Sequence, residues 1–262
     1  MIRFKKPQRY LLVVLSLMVS IFLPLGVEAA EKHPDGLVGQ INGSFEAAFT
    51  SVAAENNVPH TDRFQFGLDL AIPAANLLTV MAGYQLENVD SVFHHYFVAL
   101  KVYPGNPLVT RGHANPDGVI GLPVFSLGYG GRVPDRHVDN HQYVISGSAL
   151  VPVMKSLSLG IGGNYYQDRE LVQVDEYYGM VNFFTGSYLP GEEYSNPDGV
   201  EGTPSFYLRA GGSSDGFFGQ MDILMPLKQN LTLVLNLRGQ RTPSPYTRSA
   251  RIGIRINYYP GR

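Results

Sequence analysis

Three observations predict an all-β chain, an antiparallel transmembrane β-barrel of about 12 strands. Apolar and polar residues alternate with period two. One Pro-Asp-Gly turn recurs three times. Tyrosines gather at the ends of the alternating segments.

The alternation is clearest late in the chain. Leu231, Leu233, Leu235 and Leu237 alternate with Thr232, Val234, Asn236 and Arg238. Leu157, Leu159 and Ile161 alternate with Ser158, Gly160 and Gly162, and Ala250, Ile252, Ile254, Ile256 and Tyr258 with Arg251, Gly253, Arg255 and Asn257. Successive side chains of a strand point to opposite faces, so each segment has one apolar face and one polar or tiny face.

The turn reads His33-Pro34-Asp35-Gly36, Asn115-Pro116-Asp117-Gly118 and Asn196-Pro197-Asp198-Gly199, and each copy opens a strand: Gln40 to Phe49, Pro123 to Tyr129, and Pro204 to Ala210. A second landmark follows in each copy, Ile72-Pro73-Ala74, Val151-Pro152-Val153 and Met225-Pro226-Leu227. A third closes it, Tyr103-Pro104-Gly105, Leu189-Pro190-Gly191 and Tyr259-Pro260-Gly261. These landmarks divide the barrel, residues 30–262, into three four-strand repeats: 33–114, 115–195 and 196–262. Proline cannot donate to a strand ladder, so it marks turns. All these turns then fall on one side of the sheet with both termini, as in outer-membrane barrels. Strands near ten residues suit a tilted crossing of a bilayer. A soluble sandwich or propeller also has short alternating strands. Here, however, the apolar face carries almost no charge, and the polar face is too rich in Gly, Ser, Asn, Gln and charge for a dry core. Tyr84, Tyr103, Tyr165, Tyr188, Tyr258 and Tyr259 are placed as an interfacial girdle would be.

Residues 1–29 read as a signal peptide. Arg3, Lys5, Lys6 and Arg9 precede the apolar run Leu11 to Leu25, and Val27-Glu28-Ala29 predicts cleavage after Ala29. The apolar run is shorter than a spanning helix needs. Cysteine is absent, which excludes a lipoprotein, a disulfide framework and a thiolate nucleophile. The net charge of −2, without a basic stripe, argues against a nucleic-acid partner. No phosphate loop, calcium loop or zinc-ligand spacing is present, so neither cofactor nor metal is expected.

On these features the mature chain resembles Gram-negative outer-membrane β-barrels of the general porin type, over its whole length in architecture. The resemblance implies Sec-type export, an outer-membrane location, contact with outer-membrane lipid, and insertion by the barrel-insertion machinery. Many such barrels end in an aromatic residue. Here Tyr258 and Tyr259 are followed by Pro260-Gly261-Arg262, so the insertion signal would fall on the tyrosines.

Phasing each strand on its landmark predicts the interior. The polar set is Gln40, Asn42, Ser44, Gln65, Thr79, Gln85, Ser146, Ser148, Ser158, Asn164, Gln220, Asn236 and Asn257. The charged pore-lining set is Glu46, Asp69, Lys101, Arg209, Asp222, Arg238, Arg251 and Arg255. The strand Tyr177 to Tyr188 phases ambiguously, and a bulge is expected in it. Two readings of the charges compete. In one, the arginines line a water-filled pore and favour anions. In the other, Arg238, Arg251 and Arg255 pair with Asp222, Asp69 and Glu46 in a network that stiffens the barrel. Interior glycines (Gly128, Gly160, Gly162, Gly253) favour the open lumen, and 12 strands enclose more than the eight that side chains can fill.

The expected function is an outer-membrane channel for passive diffusion of small hydrophilic solutes, with a mild preference for anions. One alternative is a sleeve or scaffold barrel housing a protein partner in an outer-membrane complex; the protein partners to expect are one in the lumen or further copies of the chain in a homo-oligomer. Another is an outer-membrane hydrolase. For the hydrolase the candidates are His141 with Ser146 or Ser148, and His94-His95 with Asp90. The serines stand five and seven residues from His141 along one strand, too far to bond to it at about 3.3 Å per residue. His94 and His95 point to opposite faces. An enzyme is therefore not expected. The longest outer loops are expected near Ser51 to Asp62 and Gly130 to His141. Arg132, Asp135, Arg136, His137 and Asp139 in the second read as a solvated loop.

Overall fold

The computed structural model describes residues 32–54, 61–88, 92–104, 115–134, 142–167, 173–186, 196–213, 216–243 and 246–260. The signal segment, Asp90, Asp135, Arg136, His137, Asp139, His141 and Tyr188 lie outside the described residues.

A short hairpin, β1 (Lys32–His33) and β2 (Gly36–Leu37), precedes 12 long strands. These are β3 (Asn42–Ala54), β4 (Thr61–Ala75), β5 (Leu78–Asn88), β6 (Val92–Val102), β7 (Val124–Pro134), β8 (Gln142–Met154), β9 (Leu157–Gln167), β10 (Gln173–Phe184), β11 (Ser205–Ser213), β12 (Gly216–Lys228), β13 (Leu231–Pro243) and β14 (Tyr246–Tyr258). Each pairs antiparallel with its chain neighbours, and β14 closes on β3 from Tyr258 opposite Gly43 to Thr247 opposite Ala54. Closure pairs every strand edge, which a sheet in lipid requires.

The outer face follows from alternation. Phe45, Phe64, Phe66, Leu68, Leu127, Ile145, Ile161, Phe183, Ile252 and Ile254 point away from the lumen and are exposed. Charged residues on this face stand at the rims: Asp62, Arg241 and Arg248 pair with Ser51, Phe217 and Ala53 near the strand ends remote from the termini, and Lys228 pairs with Leu231 at the terminal end. The belt between the rims is apolar. Ile252, midway along β14 and 51% exposed, tests it. Ile252→Arg is expected to lower the stability of the lipid-embedded barrel by about 2–4 kcal/mol, read by urea titration after refolding into bilayers. A loss under about 0.5 kcal/mol, the usual scale of a water-facing substitution, would place this face in water.

The strands run further from the terminal end than their sequence suggests. β3 continues to Ala54, β7 to Pro134 and β11 to Ser213, so residues 51–54 and 130–134 of the two expected outer loops belong to strands. Arg132 is therefore not a loop residue but an interior residue of β7. The bulge expected in the strand Tyr177 to Tyr188 is absent. That strand is Gln173–Phe184, with unbroken register against β9 and β11. Its phase was hidden because aromatic residues stand on both faces, Tyr177 and Phe183 outward, Tyr178 and Phe184 inward. Register shifts occur instead beside the landmark prolines, at Pro73/Ala75, Pro152/Met154 and Pro226/Lys228, where a missing N–H interrupts the ladder.

The tyrosines also divide. Tyr258 is 49% exposed on the outward face at the terminal end of β14, as an interfacial residue is. Tyr103 and Tyr259 are 2% and 9% exposed and do not belong to a girdle. They turn inward and bond to carboxylates.

Candidate functional site

Interior residues on neighbouring strands stand opposite one another, and this register builds the lumen wall. Arg255 faces Glu46, Gly67, Gln85, His95 and Arg132 in a continuous row from β14 round to β7. Asn257, Ser44, Asp69, Gly83 and Phe97 form the next row towards the termini. The eight predicted charged positions all fall on this interior face, and two of them bond directly to each other: Arg251 donates to Glu46 across β14 and β3.

The remaining partners differ from those expected. Arg238 pairs not with Asp222 but with Glu176, at 2.9 Å, reaching from β13 across β12 and β11 to β10. The Phe218 ring, 4.5 Å from its guanidinium, supports it on the way. Asp222 accepts instead from Asn236 and Gln220. Asp69 accepts from Ser44 and lies within electrostatic reach of Arg255 and Glu46. The Arg209 guanidinium stands 5.9 Å from the Tyr178 ring centroid. Lys101 is bound at 2.7 Å to Asp35, in the first Pro-Asp-Gly turn.

A four-strand cluster lies at the end of the lumen remote from the termini. Glu87 on β5 is 3% exposed. It accepts from Arg63 on β4 (3.3 Å) and Arg132 on β7 (3.0 Å), and bonds to His95 on β6 (2.8 Å). Arg132 also covers the Phe93 ring at 3.8 Å. Glu176 is the second such hub, bonded to Asn164 and Arg238. Neither hub was among the predicted residues. Their signal was a lone carboxylate near the end of an alternating strand, which sequence alone cannot match to a partner several strands away.

The interior glycines do not leave open space. A Cβ on Gly162 would stand 2.5 Å from the Tyr178 ring, and one on Gly160 would stand 2.8 Å from the Met180 methyl. Gly128 is covered by the Ser146 hydroxyl, and Gly253 lies against Ala48 and Glu46. Larger neighbours occupy the room the glycines give, as aromatic residues do over glycine in strained sheets.

The three Pro-Asp-Gly turns make matching contacts. The backbone N–H of Asp35, Asp117 and Asp198 donates to His33 Nδ1, Asn115 Oδ1 and Asn196 Oδ1, the Asx-type closure that favours Asn here and for which the His33 ring substitutes. Gly36, Gly118 and Gly199 then take φ of 137°, 149° and 142°, angles that other residues rarely adopt. Each carboxylate reaches a wall residue near the terminal end of a strand, on β6, β10 and β14. Asp35 accepts from Lys101, Asp117 from Asn182 (2.9 Å) and Asp198 from Asn257 (3.0 Å). Tyr103 and Tyr259 add hydroxyl bonds to Asp35 (2.7 Å) and Asp198 (2.8 Å).

Electrostatics separates the turns. For Asp35, burial would raise the carboxyl, but the Lys101 charge, the His33 ring and the bonds from Lys101 and Tyr103 outweigh it and hold it at about 2. Asp117 has no cation bonded to it among the described residues, and burial raises it despite the Asn182 bond. The Asp35 value lies below the ordinary 3.8, so its charge stabilises the fold above that pH. The contribution is lost as pH falls from about 4 to about 2. Wild-type barrel is therefore expected to lose about 2 kcal/mol more than Asp35→Asn between pH 5 and pH 2, measured by thermal unfolding in detergent. Parallel pH profiles would refute the ion-pair assignment.

A closed, even-stranded antiparallel barrel with an apolar outer belt and a charged interior defines an outer-membrane β-barrel of Gram-negative type. Its fold is similar to that of the COG4313 outer-membrane channel from Pseudomonas putida F1, with a TM-score of 0.55 and 7% identity over 89% of this chain and 99% of that one. The KdgM porin in complex with disordered oligogalacturonate follows, with a TM-score of 0.48 and 12% identity over 82% and 98% of the two chains. Outer membrane phospholipase A from Escherichia coli has a TM-score of 0.44 and 8% identity over 82% and 95%. At these identities the likeness is one of fold. No family model and no curated protein matches the chain.

Proposed function

We propose that the barrel is an outer-membrane channel for passive diffusion of small hydrophilic solutes, with a preference for anions. One observation carries the preference. In the lumen's ion pairs the carboxylates lie against the wall and the cations stand above them. The side chains of Glu46, Glu87 and Glu176 are 11%, 4% and 7% exposed, whereas those of Arg251, Arg132, Arg238 and Arg63 are 23%, 26%, 28% and 37% exposed. A solute in the lumen meets guanidinium groups first. Low-dielectric walls focus such a field on whatever passes. Planar-bilayer recording across a salt gradient tests the reading. Discrete steps with a reversal potential of the sign for anion flow are expected, and an absence of steps would reject it.

The same placement supports a channel over a hydrolase. Ser148 is bonded to Ser126, and Ser146 stands on β8 opposite Gly128 and Asn164. His95 is committed to Glu87, and His94 points outward to Tyr84. The proposed partners are the small solutes, the surrounding lipid and the insertion machinery.

A further inference from the structure

The longer connections of this barrel lie at the end that carries the termini. The intervals between strands there include 103–123 and 185–204, whereas those at the other end run 55–60, 89–91, 135–141, 168–172, 214–215 and 244–245. The described parts of the terminal connections do not hang outside the barrel. His33, Asn115 and Asn196 are 1%, 0% and 0% exposed, and the turns that they begin bond to interior wall residues. Backbone bonds fix them again. Gly39, Gly121 and Gly202 donate to the carbonyls of Pro73, Pro152 and Pro226 at 2.6, 2.5 and 2.8 Å.

Aromatic residues stand at three matching points, Tyr103, Phe184 and Tyr259, their backbone N–H groups donating to Leu77, Ser156 and Asn230, and two of them link the turns. The Tyr103 hydroxyl bonds Asp35 in the first turn, while its ring lies 3.4 Å from where a Cβ on Gly118 of the second would stand. Tyr259 bonds Asp198 in the third turn and lies within electrostatic reach of Asp35 in the first. Phe184 is 1% exposed and packs edge-on against Tyr207 of β11 at 5.8 Å.

We propose that the three turns and their three aromatic wedges form a fixed annulus inside the terminal mouth, and that this annulus sets the size limit for solutes. The size limit rests on the channel reading; the narrowing itself does not. The chain has no cysteine, so one introduced thiol reports access without background. Ser126 faces the lumen opposite Lys101, just above the turns. In purified Ser126→Cys barrel, a small methanethiosulfonate is expected to label the thiol and a maleimide carrying a bulky polyethylene glycol to label it slowly. Asn115→Ala with Asn196→Ala removes the side chains that tie two turns to the carbonyls of Met154, Leu157, Lys228 and Leu231. Released turns are expected to speed the bulky reagent about tenfold and to raise step conductance about twofold, because flow through a pore is set at its narrowest section. Access from the other end adds the same rate in both backgrounds and cancels when the two rates are subtracted, so the tenfold rise is that of the terminal route. Equal labelling rates would overturn the annulus. If the double variant does not refold, judged by heat-dependent gel mobility, Tyr103→Ala removes one wedge with the same expectation at smaller size, and no rise there overturns it equally. A faster bulky reagent in a barrel that never conducts would reject the channel and keep the annulus. Unchanged labelling in a conducting barrel would do the reverse.

Discussion

Glu87→Ala is expected to destabilise the barrel by about 2–4 kcal/mol, seen as a lower urea midpoint after refolding into lipid. The carboxylate is 3% exposed and balances Arg63, Arg132 and His95 from three other strands. Removing it leaves cations facing one another at close range. The value sits at the low end for a broken buried pair because Arg63 and Arg132 are 37% and 26% exposed, so water recovers part of the loss. Glu87→Gln keeps an acceptor and is expected to lose less. The variant should also conduct with a stronger anion preference, since the positive charge at that end of the lumen is no longer offset. A midpoint unchanged from wild type would mean that the cluster contributes nothing to stability.

Arg251→Glu with Arg255→Glu is expected to weaken or invert the anion preference. Both positions lie on β14, facing Thr50 and Glu46 of β3. Arg251 holds Glu46, and Arg255 is the cation nearest Asp69 in electrostatic terms. Reversing both turns the β14–β3 side of the lumen from a balanced wall into a cluster of carboxylates. The reversal potential under a KCl gradient reads this directly. The same potential in wild type and variant at pH 8 would show that these arginines do not face the conducted ions.

Much of the barrel was legible because alternation is a local property. One apolar and one polar face per strand suffices to place Glu46, Asp69, Lys101, Arg209, Asp222, Arg238, Arg251 and Arg255 on the inner surface. What alternation cannot show is which interior residues meet. Arg238 passes over two strands to Glu176 because Phe218 offers a face to lie on, a matter of three-dimensional reach. Glu87 gathers cations from strands before and after it in the chain. The interior glycines misled for a related reason: a gap in one strand's profile is filled by its neighbour, Tyr178 over Gly162 being the clearest case. Tyr103 and Tyr259 resembled membrane-interface residues by position. The turn carboxylates that draw them inward are separated from them by 68 and 61 residues.

Those separations bear on how the chain reaches its final form. Asp35 to Tyr103, Asp117 to Asn182 and Asp198 to Tyr259 span 68, 65 and 61 residues, and each bond encloses four strands: β3–β6, β7–β10 and β11–β14. Within an enclosed set every pairing is between consecutive hairpin partners. Contacts of short sequence separation form early and cost little loop entropy. A quartet can therefore complete its own clasp before the next is laid beside it, leaving only the β6–β7, β10–β11 and β14–β3 seams for later. The last of these joins the two ends of the chain, and it is the one step in assembly that no local bond can anticipate.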